Sequence, residues 1–203
     1  MDTLVDTFTE GISVISWACT LPIVVPGLAL VLVARRARLT VGLLYAAGVA
    51  LMAWAPAAGY WRTDMGGLVV VVVAVLAAGT YLAAWKAPAG NSPLAASGGF
   101  VGGAIASWLW RPCVGPRLGD ILNDASTDEL RTLALMGVYA AGALLPLLLL
   151  AVLPVAVPAV GRVLDRRPFA VAGAVVGGAY AITLAIGLYD DLIGELYRIS
   201  SGY

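Results

Sequence analysis

Six apolar runs, separated by short polar stretches, organise this chain. They cover residues 11–34, 41–60, 66–85, 98–119, 132–154 and 169–189. At 1.5 Å of rise per residue, a helix of about 20 residues crosses the roughly 30 Å of hydrocarbon in a bilayer. The connecting stretches are too short to hold a soluble domain. The pattern predicts an all-α polytopic membrane protein, a single membrane domain over residues 1–203 with six transmembrane helices.

Composition agrees. Hydrophobic residues make up 61% and charged residues 12% of the chain, against about 45–50% and about 25% in soluble domains. The first run does not read as a signal peptide. Its flank is acidic (Asp2, Asp6, Glu10), whereas a secretory leader opens with positive charge. With zero formal charge and no histidine, the chain has no basic patch for nucleic acid and no imidazole ligand or proton shuttle.

Orientation follows from the arginines and lysines. Arg35, Arg36, Arg38, Lys86, Arg162, Arg166 and Arg167 lie after the first, third and fifth runs, against only Arg62, Arg131 and Arg198 on the other side. The positive-inside rule puts the larger group in the cytoplasm and both termini outside. The expected location is a bacterial or archaeal plasma membrane. Trp54, Trp61, Trp85 and the tyrosines are expected at the interfaces, and Pro56, Pro146 and Pro154 as ordinary kinks or close-packing points.

The chain also repeats itself. Cys19-Thr20-Leu21-Pro22 returns 94 positions later as Cys113-Val114-Gly115-Pro116, and Tyr45-Ala46-Ala47-Gly48 as Tyr139-Ala140-Ala141-Gly142. Gly79-Thr80-Tyr81 corresponds to Gly178-Ala179-Tyr180 at offset 99, which implies about five extra residues between the fifth and sixth runs. The halves are then 1–97 and 98–203. Three spans per half makes them inverted repeats about an axis in the membrane plane.

These are the only two cysteines, and both fall in Pro/Gly-interrupted runs. A proline inside a helix removes a donor and clashes with the carbonyl four residues back. Pro22 would thus free the carbonyl of Ala18, and Pro116 that of Pro112. Broken helices at matching positions of two repeats mark a central site, tolerated where protein or water satisfies the backbone. Pro22, Pro26, Gly27, Pro112, Gly115 and Pro116 are the expected shaping residues. Two thiols at equivalent positions suit thiol–disulfide exchange. Arg111 and Arg117 flank Cys113 and would favour its thiolate if either points inward; snorkelling to the outer interface is the competing role.

Trp110-Arg111-Pro112-Cys113-Val114-Gly115-Pro116 resembles the W-x-P-C-x-G-P signature of the CcdA family and the membrane domain of DsbD. Ala18-Cys19-Thr20-Leu21-Pro22, followed by Pro26-Gly27, is similar to that family's first-span P-C-x-L-P…P-G. The resemblance implies a Cys19–Cys113 redox pair that carries reducing equivalents from cytoplasmic thioredoxin to an extracytoplasmic thioredoxin-like protein, for cytochrome c maturation. It implies no bound cofactor or metal. Ala18 and Arg111 depart from the family pattern, and a relative serving another maturation pathway, such as that of amine dehydrogenases, fits the same motifs. Two other functions compete: a soft-metal-ion transporter using the cysteine pair, and a non-catalytic membrane scaffold in which the cysteines only pack.

Overall fold

The computed structural model describes residues 2–16, 20–35, 37–57, 67–86, 93–109, 129–188, 191–192, 194–195 and 198. Among these there are nine long or short α-helices and no strand. In chain order they are α1 (Asp2–Ser13), α2 (Leu21–Val33), α3 (Arg38–Ala57), α4 (Gly67–Lys86), α5 (Pro93–Leu109), α6 (Glu129–Ala143), α7 (Leu145–Ala156), α8 (Pro158–Leu164) and α9 (Arg167–Ala185). A 3-10 turn, Val14–Ser16, follows α1.

Local chemistry explains most boundaries. The Thr20 carbonyl accepts from the amides of Ile23 and Val24, each at 3.1 Å, and starts α2. Pro22 is the second residue of that helix, where its missing N–H costs no helical bond. The chain is extended at Val157 (φ −128°, ψ 95°), as the ring of the following Pro158 requires. Helix α9 ends in Gly187 at φ +73°, a left-handed terminus that glycine adopts without a Cβ clash.

The apolar run 132–154, expected as one helix, is two. Helices α6 and α7 meet at Leu144 with a bend of 67°. Pro146 is the second residue of α7; it has no N–H for the Gly142 carbonyl, and its ring crowds that oxygen. Pro146, expected as an ordinary kink, thus stands at a break between two helices. Among the described residues, α9 alone is long and apolar enough to cross a membrane by itself, and the bent α6–α7 pair makes a second such segment if taken as one. Shorter apolar helices cover Leu21–Val33, Arg38–Met52, Val71–Lys86 and Pro93–Leu109.

Two crossings of the same kind frame the bundle. Helix α1 crosses α6 where Gly11 faces the Tyr139 carbonyl and Gly142 faces the Phe8 carbonyl. Helix α5 crosses α3 where Gly103 faces the Tyr45 carbonyl and Gly48 faces the Phe100 carbonyl. A Cβ on any of these four glycines would overlap backbone atoms of the opposing helix. The sequence pairs are Phe8-x-x-Gly11 with Phe100-x-x-Gly103, and Tyr45-x-x-Gly48 with Tyr139-x-x-Gly142. Helices α3 and α6 also pack on one another, giving the order α1, α6, α3, α5.

Helix α2 lies against α3, α5, α7 and α9, and α9 in turn packs on α4. The main core gathers Ile23, Leu30, Val41, Tyr45, Met136, Tyr139, Leu144 and Leu147. Outward faces are also apolar: Val75, Leu76 and Leu82 on α4, Val152 and Val155 on α7, and Val175 and Ile182 on α9 are all exposed.

Candidate functional site

Cys19, Cys113, Arg111, Pro112, Gly115, Pro116 and Arg117 lie outside the described residues. Of the expected site residues, Pro22, Pro26 and Gly27 are described, and all three are buried on α2. The first cysteine's segment joins the 3-10 turn that ends at Ser16 to Thr20 at the head of α2. The second cysteine follows α5, whose last residue is Leu109.

Pro26 sits inside α2 and withdraws the donor that would serve the Pro22 carbonyl. Two tyrosines brace the helix on either side of that gap. Tyr45 Oη donates to the Ile23 carbonyl at 2.7 Å, and Tyr81 Oη donates to the Pro26 carbonyl at 3.0 Å. The first ties α2 to α3 and the second ties it to α4. Gly27 lets this happen at close range, because a Cβ there would run into the Tyr45 ring and the Leu147 side chain.

Thr20, next to Cys19, is fully buried, and its hydroxyl has no hydrogen-bond partner among the described residues. An unmatched buried hydroxyl costs about 1–3 kcal/mol. A cavity of about 320 Å³ separates the start of α2 (Leu21, Pro22, Val25) from α9 (Val176, Ala179, Tyr180). Its lining is almost wholly apolar.

One end of the bundle is closed by arginines. Arg38, only 5% exposed, donates from Nη1 to Asp165 Oδ1 at 2.9 Å and from Nη2 to the Leu164 carbonyl at 2.7 Å. Arg35 donates to the Asp165 carbonyl. Burial pushes the Arg38 guanidinium below its usual pKa, and the facing Asp165 carboxylate opposes that fall. The Arg38 Nε has no partner. Together these contacts latch the α2–α3 turn to the α8–α9 turn.

Sequence reasoning missed the tyrosine braces. The tyrosines were expected at membrane interfaces, yet Tyr45 and Tyr139 are each 1% exposed and Tyr81 is half-buried. The signal was present, since Tyr45 and Tyr81 both belong to repeated motifs. Trp85 is exposed at the arginine end; the side chain of Trp54 and all of Trp61 fall outside the described residues. No family model, curated protein or solved structure matches the chain.

Proposed function

We propose that this chain is a six-span membrane protein, two inverted three-helix repeats, that passes reducing equivalents from cytoplasmic thioredoxin through a Cys19–Cys113 pair to an extracytoplasmic thioredoxin-like protein. The observation that carries this reading is the likeness of the two glycine crossings. Helix α1 meets α6 as α5 meets α3, through the same Phe-x-x-Gly and Tyr-x-x-Gly pairs. Equivalent helices then lead into the two cysteine segments. The first helices match at an offset of 92 and the C-x-x-P motifs at 94, so the second half has two extra residues between Gly103 and Cys113. The short helix α8 accounts for the longer connection before α9.

Two further observations favour a membrane setting. Large apolar side chains face outward on α4, α7 and α9, as a lipid-facing surface would. Arg35, Arg38 and Arg167, from two separate connections, gather at one end of the bundle together with Trp85, as the positive-inside rule expects of a cytoplasmic face.

The chemistry is a two-electron, two-proton exchange. A thioredoxin thiolate attacks one sulfur of the Cys19–Cys113 disulfide, forming a mixed disulfide and releasing the other cysteine as a thiolate that takes up a proton. Thioredoxin's second thiol then displaces the mixed disulfide, leaving a Cys19/Cys113 dithiol and oxidised thioredoxin. The dithiol reduces the outer partner's disulfide by the same two displacements. The tyrosine braces hold α2 in place while the adjoining cysteine segment changes partners.

A thiol-trapping mobility shift on the purified protein tests this, with and without reduced thioredoxin, using Cys19→Ser and Cys113→Ser controls. The expected result is a Cys19–Cys113 disulfide that thioredoxin opens, with a mixed disulfide trapped by one single variant. Two thiols that never pair under mild oxidation would sink the reading and direct attention to metal binding or a packing role.

A further inference from the structure

At the arginine end, α2, α4 and α9 enclose a cavity of about 270 Å³ lined by Arg35, Trp85 and Arg167, with no acidic side chain in its wall. Arg35 spends one donor on the Asp165 carbonyl, and a guanidinium has five. Arg167 has no hydrogen bond or ion pair among the described residues. Two exposed cations thus line one space whose wall holds no carboxylate, the Asp165 carboxylate being engaged by Arg38, and an anion entering it would be attracted by both.

A second cavity adjoins it. This slot of about 400 Å³ runs between α4 and α9, past Tyr81, Leu82, Ala174 and Gly178, and it shares Val33 and Trp85 with the first. Its wall is nearly all apolar. Gly178 leaves it open, since a Cβ there would meet nothing within 4 Å. A cationic chamber that continues into an apolar slot has the form of an amphiphile's imprint.

We propose that this pair of cavities binds an anionic phospholipid, its phosphate between Arg35 and Arg167 and one acyl chain in the α4–α9 slot. The site rests on the membrane reading above, but not on the thiol chemistry. Its chemistry is charge-assisted hydrogen bonding of phosphate by guanidinium, with Trp85 at the boundary of head and chain. Inorganic phosphate would satisfy the arginines equally and would have no use for the slot.

The test is thermal melting and native mass spectrometry of the full chain, purified and delipidated in detergent. Phosphatidylglycerol, phosphatidylcholine and inorganic phosphate are added separately. Phosphatidylglycerol alone is expected to raise the melting temperature and remain bound. Arg167→Gln removes one charged contact and is expected to weaken binding by about tenfold. Gly178→Leu fills the slot without touching the arginines and is expected to weaken it as well. Both variants should keep thioredoxin-dependent opening of the disulfide, so a failure there is separable from a failure here. Equal stabilisation by inorganic phosphate, equal binding of phosphatidylcholine, or unchanged binding by both variants would each overturn the proposal.

Discussion

At the scale of single residues, the glycines divide into two kinds that composition alone does not separate. Gly142 presses against the Phe8 carbonyl and Gly11, and Gly48 against the Phe100 carbonyl. Gly79, on α4, has nothing within 4 Å of where a Cβ would stand. Gly142→Ala and Gly48→Ala must therefore push helices apart, and each is expected to cost about 1–3 kcal/mol, the usual range for overpacking. Gly79→Ala gains helix propensity, and should stabilise by about 0.5–1 kcal/mol. Thermal melting in detergent measures all three. A neutral Gly142→Ala would contradict the close crossing of α1 and α6. The YAAG repeat was readable in the sequence because both copies survive intact. Phe-x-x-Gly was not, because two identities in four residues, at an offset different from the other motifs, do not stand out until the helices are seen to touch.

At the scale of elements, α3, α4 and α9 are legible in the apolar runs 41–60, 66–85 and 169–189, since each helix stays unbroken across its described part of the run. Helix α1 is not. Asp2, Asp6 and Glu10 read as a polar flank, yet they ride on a helix whose Thr7 is buried and whose Phe8 and Gly11 meet α6. Acidic side chains four apart share one face of a helix, and the adjoining face of Thr7, Gly11 and Val14 is left free to pack. The site was legible only in part as well. Pro26 and Gly27 were recognisable as a weak point in α2, but the hydroxyls that brace it come from α3 and α4, 22 and 55 residues away. Replacing Tyr45 or Tyr81 by Phe removes a hydrogen bond while keeping the ring, and each is expected to cost about 1 kcal/mol. If the braces hold the cysteine segment's anchor, the rate at which thioredoxin opens the disulfide should also change. A melting shift with an unaltered rate would confine the tyrosines to packing.

At the scale of the whole molecule, the two halves share their crossings, and among the described residues one end of the bundle is closed by arginines. Arg35 and Arg38 fasten the α2–α3 turn to Asp165 and Leu164 at the far end of α8. Ninety-four positions on, Glu129 and Thr132 stand where Arg35 and Arg38 stand in the first half. On the reading proposed above, a carrier that meets one partner on each side needs two conformations of nearly equal energy, and a one-sided contact biases their populations. The latch is suited to that task because it is not over-built. Asp165 is 50% exposed, and an asparagine in its place keeps an oxygen for Arg38 Nη1, so losing the charge alone removes about 1 kcal/mol. Losing about 1 kcal/mol shifts a two-state ratio roughly fivefold. Asp165→Asn is therefore expected to raise labelling of Cys19 and Cys113 by an impermeant maleimide from the arginine side, and to lower it from the other side. Arg198→Gln, which breaks the exposed Arg198–Glu195 pair near the C-terminus, is the matched control and should leave both rates unchanged. Labelling measured on intact cells and on inverted vesicles gives the two rates separately. If Asp165→Asn leaves their ratio where it was, the arginines only staple one end of the bundle, and the switch between sides must be built elsewhere.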